Sequence, residues 1–147
     1  MKILISACLL GVPCRYDGRS KPVDEVLQLE KLGYELIPVC PEELGGLPTP
    51  RPPAECQPDG RIINQAGHDV TEFYQKGAQK ALEMAQARGC TVAVLKEKSP
   101  SCGCYEIYDG SFSKQMIPGK GVTAKLLCEH QIQVLGETHL AQLIAKK

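Results

Sequence analysis

The chain has no tryptophan, two phenylalanines and 5% aromatic residues in all, too few for a platform on which successive bases of a single strand could stack. It also has no excess of charge. Its 17 basic and 17 acidic residues balance, so no broad electrostatic footprint points to long nucleic acid or to a membrane surface. No run approaches the roughly 18 to 20 apolar residues of a spanning helix. The opening MKILISACLLG is interrupted by Ser6 and passes into CRYDG without a small-residue cleavage site. It reads as the buried first strand of a cytoplasmic protein. Missing too are the paired C-x₂-C of zinc domains and the C-x₂-C-x₂-C run of ferredoxins.

Cysteine is plentiful. Eight residues, at 8, 14, 40, 56, 90, 102, 104 and 128, stand in 147. In a small secreted protein an even number would suggest a disulfide framework. Here the length allows one domain with a full core, residues 1–147, and the periodicity is that of an α/β protein, so reduced thiols are expected.

Four short apolar runs, at 2–10, 34–40, 91–97 and 132–137, have the composition of strands buried on both faces. Between them lie helical patterns at 22–33, 71–89, 122–131 and 138–147. Gly33 and Gly89 act as stops, and Thr71 as an expected N-cap. The alternation predicts an α/β fold: a Rossmann-like three-layer sandwich with a mostly parallel four-stranded sheet. Two segments break the rhythm. Residues 41–70 form a long proline- and glycine-rich loop with a short hairpin turning at Asp59-Gly60, and a second hairpin is expected around Asp109-Gly110.

On that scaffold Cys8, Cys40 and Cys102 follow the ends of the first three strands. In an open parallel sheet such ends share one edge, where ligands bind. Three thiols distant in sequence therefore converge by topology on a metal or cluster pocket. Cys14, six residues after Cys8, is an alternative on the same edge. Cys102 and Cys104 are two apart, so in extended backbone one faces the pocket and the other does not. Cys90 and Cys128 read as core residues, and Cys56 is ambiguous. Soft thiolates suit zinc, copper(I) or an iron–sulfur cluster. His68, His130 and His139 fall in a loop and two helical segments, with no zinc spacing. Arg15, Lys21, Arg51, the GG at 45–46 and the GKG at 119–121 offer contacts for a phosphate. Asp17 is placed to pair Arg15.

SACLLG with CRYDG, CPEELGGLPTPR, LKEKSPSCG with YDGSF, and GVTAKLLCEHQIQV occur in this order from Lys2 to about Glu137. Together they resemble the bacterial thiouracil desulfidase family, long catalogued as a domain of unknown function. The resemblance implies a Rossmann-like domain with a [4Fe-4S] cluster on only three cysteines, assigned to Cys8, Cys40 and Cys102. It implies non-redox replacement of the sulfur of a thiolated pyrimidine by water oxygen. The substrate would be thiouracil or 4-thiouridine monophosphate, its sulfur held by the iron without a protein ligand. It casts Glu42 as the acid/base, and Ser99 and Ser101 as hydroxyls for the pyrimidine or the leaving sulfur. Arg15, Gly46 and Arg51 are the substrate-binding candidates. The competing readings are a zinc-binding hydrolase on the same thiols and a non-catalytic nucleotide-binding module.

Overall fold

The computed structural model describes residues 2–20 and 22–140. In chain order the elements are β1 (Lys2–Ser6), α1 (Asp24–Lys31), β2 (Glu35–Val39), α2 (Pro41–Leu44), β3 (Ala54–Cys56) and β4 (Ile62–Asn64). They continue with α3 (Thr71–Arg88), β5 (Val92–Leu95), β6 (Glu106–Tyr108), β7 (Met116–Pro118), α4 (Val122–Glu129) and β8 (Gln133–Gly136). Ala7–Leu10 and Glu137–His139 are 3₁₀ turns.

Four strands form a parallel sheet in the order β2-β1-β5-β8. Alternation along the central strands divides the core. Ile3, Ile5, Val92 and Val94 meet Val26 and Leu29 of α1 on one face. Leu4, Ala93 and Leu95 meet Ala81, Leu82 and Ala85 of α3, with Ala124 and Leu127 of α4, on the other. Apolar side chains on both faces explain the near-continuous hydrophobic runs. Pro38 is tolerated within β2 because that strand lies at the sheet edge. The result is the expected three-layer α/β sandwich. The two hairpins, β3–β4 and β6–β7, are also present as antiparallel pairs.

Several local expectations change. The first strand stops at Ser6 rather than running to residue 10, because its neighbour β2 ends at Val39 and turns at Cys40-Pro41, where proline has no N–H to extend a ladder. Cys8 therefore sits on a 3₁₀ turn. The segment 41–70 is not one loop: it opens with α2, whose Pro41 is at the first turn and whose Glu42 and Glu43 suit a helix N-terminus. Thr71 is not the N-cap; Val70 occupies that place. The Thr71 hydroxyl instead accepts from the Ile62 N–H at 2.8 Å, while Asp69 Oδ1 accepts from the Thr71 N–H at 2.9 Å. Of the helix expected at 138–147, residues 141–147 lie outside the described residues. No described helix is long and apolar enough to cross a membrane.

One contact fixes the position of α2. A Cβ on Gly45 would stand 1.9 Å from the Phe73 carbonyl oxygen, and a Cβ on Gly77 1.9 Å from that of Pro41. The two helices touch backbone to backbone. Only glycine fits on either side.

Candidate functional site

Helix α1 covers one face of the sheet and α4 the other, so the connections leaving β1 and β5 part in opposite directions. Such a switch point opens a crevice at the carboxyl ends of the strands. A cleft of about 750 Å³ lies there. Ser6, Cys40, Lys96 and Glu137, which close or follow the four strands, all line it.

Cys8, Cys14, Cys40 and Cys102 line this cleft as free thiols. The Cys14 and Cys40 sulfurs and a Glu43 carboxylate oxygen lie within 4.8 Å of one another. Cys40 Sγ donates to the Cys14 carbonyl at 3.7 Å. These thiols oppose one another's ionisation. Hydrogen bonding to Cys14, and then burial, push the Cys40 thiol far up. The Cys14 thiol is pulled down by its bond to Cys40, yet Cys8 and burial carry it up to about 11. Burial, followed by the charge of Glu42, pushes Cys102 up to about 12. A cation that binds sulfur relieves this repulsion by displacing the protons. Cys104 lies outside the cleft: its sulfur is buried in the core and its N–H donates to Glu97 Oε1 at 2.9 Å.

Glu42 is the hub beside the thiols. Arg51 Nε and Nη2 each reach its Oε2 at 2.7 Å, and the Tyr74 hydroxyl donates to the same oxygen at 3.3 Å. Burial and the neighbouring Glu42 carboxylate both raise the Tyr74 phenol, which stays protonated and able to donate. The second oxygen, Oε1, accepts from Ser99 Oγ at 3.1 Å. Ser99 Oγ in turn accepts from the Ser101 and Cys102 N–H groups at 3.0 and 3.1 Å. One hydroxyl thus ties the Cys102 turn to the carboxylate.

The other candidates are placed differently. Ser101 is 0% exposed and pairs with the Thr123 hydroxyl at 2.7 Å, behind Cys102, whose sulfur donates to it at 3.8 Å. Arg51, 8% exposed, lines the cleft but has its guanidinium bonded on several sides by the protein itself. Besides Glu42 it donates to the Cys14 carbonyl at 3.0 Å, the Thr49 hydroxyl at 2.9 Å and the Pro48 carbonyl at 3.2 Å. Gly46 lies outside the cleft, with its N–H on the Glu43 carbonyl at 3.0 Å. Arg15 lines the cleft without an ion-pair partner among the described residues, since Asp17 bonds Arg19 instead. Lys98 and Lys114 line it in the same unpaired state. Lys21 lies outside the described residues.

No sequence motif marks Tyr74 or the Lys96–Glu137 pair. Lys96 Nζ donates to Glu137 Oε1 at 2.9 Å and to the Glu97 carbonyl at 3.0 Å. The position of Lys96, directly after a strand in a sheet of this type, was the available signal. Tyr74 had none, because its role depends on where α2 crosses α3.

Fold and site together define a parallel-sheet α/β protein with a thiol-lined cleft beside a hydrogen-bonded carboxylate. The chain belongs to the 2-thiouracil desulfurase family, which it matches over residues 3–139. It is 40% identical over 153 residues to the Bacillus subtilis (strain 168) protein YbbK, an alignment spanning 97% of this chain and 99% of that protein. It is also similar to the solved structure of the [4Fe-4S]-dependent thiouracil desulfidase TudS. The TM-score there is 0.92 at 46% identity, over 99% of this chain and 96% of that one. The donor set fits such a cofactor: several buried, unbridged thiols on one cleft offer the soft sulfur ligands that iron–sulfur centres require.

Proposed function

We propose that this chain, acting as one domain, removes sulfur from a thiolated pyrimidine, with water supplying the replacing oxygen and sulfide leaving. No net electron transfer is involved. The observation that carries the reading is the meeting of thiols from separate strand ends with Glu42 at a single cleft. Cys8, Cys40 and Cys102 would hold a [4Fe-4S] cluster. When bound, the group supplies a soft Lewis-acid position for the thiocarbonyl sulfur.

The remaining work falls to side chains. Glu42 takes a proton from the attacking water or returns one to the ring, using Oε1, while Arg51 and Tyr74 hold Oε2 in place. Ser99 fixes the distance between Oε1 and the Cys102 turn. Ser101 acts from behind, supporting Cys102. Arg15, Lys98 and Lys114 give the cleft cations free to meet the phosphate of 4-thiouridine monophosphate, whereas thiouracil itself needs none.

Anaerobic reconstitution, quantification of iron and sulfide, and a sulfide-release assay on thiouracil, 4-thiouridine and its monophosphate test the reading. A brown protein that releases sulfide is expected. A colourless, iron-free product rejects it.

One observation favours a second reading. Cys14, Cys40 and Glu43 form a three-donor set of the type that zinc accepts, leaving a position for water in a hydrolase. Zinc at one equivalent without inorganic sulfide would select that reading.

A further inference from the structure

Both hairpins contribute to the cleft lining, through Ala54 and Glu55 of one and Glu106, Tyr108, Phe112 and Lys114 of the other, and a carboxylate joins them. Glu55 on β3 is 8% exposed, and among the described residues no basic side chain pairs with it. Its Oε1 accepts from the N–H groups of Gly110 and Phe112, at 3.0 and 3.2 Å, in the turn between β6 and β7. Gln57 Nε2 adds a bond to the Gly110 carbonyl at 3.1 Å. Gly110 has φ +96°, and a Cβ there would stand 2.8 Å from the Cys56 carbonyl oxygen, so the hairpins approach as closely as backbone permits.

The held turn is strained. Among the described residues, Lys98, Phe112, Lys114 and Gln131 are the non-glycine residues with left-handed backbone, at φ 69°, 57°, 64° and 63°. All but Gln131 line the cleft. Such conformations persist where the surroundings over-determine them, and they gather at ligand clamps. Glu55 supplies that determination for Phe112 directly, through the bonds from the Gly110 and Phe112 N–H groups, and Lys114 follows two residues on in the same turn.

We propose that Glu55 is a positioning residue for substrate choice: by latching the 110–112 turn it sets Phe112 and Lys114 against the part of the ligand that projects beyond the pyrimidine ring. It thereby favours a nucleotide over the free base. This rests on the desulfidase reading given above.

The test uses the reconstituted holoenzyme as wild type, Glu55→Ala, Glu55→Gln and Phe112→Ala. KM and kcat are measured for 4-thiouracil and for 4-thiouridine 5′-monophosphate, together with calorimetric affinity for uridine 5′-monophosphate. Glu55→Ala is expected to raise KM for the monophosphate roughly tenfold, with kcat within about twofold and the free base unaffected. Glu55→Gln, which keeps the accepting oxygen, restores most of the loss. Phe112→Ala repeats the KM effect without a fall in Tm, and decides the matter if Glu55→Ala does not fold. Equal losses on both substrates, or an unchanged KM for the monophosphate, overturn the proposal. If the wild type turns over neither substrate, the desulfidase reading fails. The uridine monophosphate titration then still reads the latch: weakening by roughly tenfold in Glu55→Ala supports it, and an unchanged affinity overturns it.

Discussion

Arg51 approaches Glu42 through two nitrogens that share one oxygen, Nε and Nη2 each lying 2.7 Å from Oε2. The carboxylate is therefore divided, with one oxygen anchored and the other turned to Ser99. Its anchor is also a buried cation. Glu42→Gln is expected to stop turnover and to cost about 3 kcal/mol or more of stability by leaving Arg51 without its counter-charge. In Glu42→Gln/Arg51→Met, chemical denaturation should recover part of the stability while sulfide release stays absent. Full activity in either variant would remove Glu42 from the reaction.

Ser99 links the carboxylate to the Cys102 turn through three hydrogen bonds. Ser99→Ala should lower kcat by roughly ten- to a hundredfold while the iron content is retained. Parallel iron quantification and turnover separate loss of alignment from loss of the metal centre.

The thiols differ in what their removal does. Cys8→Ser, Cys40→Ser and Cys102→Ser should each fail to retain iron after anaerobic reconstitution. Cys104→Ala, whose side chain packs in the core away from the cleft, should bind iron normally and lose about 1 kcal/mol of stability. Cys14→Ser discriminates between neighbours. Retained iron assigns the ligand role to Cys8, and lost iron assigns it to Cys14.

Helix α2 carries Glu42 and follows Cys40, and its seat is the glycine crossing with α3. Gly77→Ala forces a methyl group to 1.9 Å from the Pro41 carbonyl oxygen. A destabilisation of at least about 2 kcal/mol is expected from overpacking, seen in thermal melts, with turnover reduced further than the remaining folded fraction explains.

Burial, and then the charge of Glu55, push the Cys56 thiol from the ordinary 9.0 up to about 11. Its folded value exceeds its unfolded one, so between those values the unfolded chain has released a proton that the native state keeps. Stability from this group is complete below pH 9.0 and lost as pH rises through about 11. The stability advantage of wild type over Cys56→Ser should shrink across that range in denaturant titrations.

Much of this was legible in the chain. The β-branched runs placed the four main strands, and the strand ends placed Cys8, Cys40 and Cys102 on one edge, because parallel topology makes that edge common. What stayed hidden was set by close approach. The GG at 45–46 offers phosphate-binding amides on paper, but Gly45 is there to let α2 touch α3, and the Gly46 N–H is already bonded. Nor does the sequence show that the path of 41–51 folds Arg51, read there as a substrate cation, onto Glu42 at the edge of the cleft. The nearness of Cys14 to Cys40 follows from the 3₁₀ turn after Ser6, which no strand periodicity announces.

The sulfurs at 8, 40 and 102 belong to segments that the unfolded polypeptide keeps far apart. A zinc-finger loop can gather its ligands locally and fold around the ion. On the proposed assignment these three thiols come to one cleft only after β1, β2 and β5 have paired, which puts folding of the sheet before loading of the cluster. On that order the folded apoprotein, and not a chain lacking any of these strands, is the species expected to take up iron.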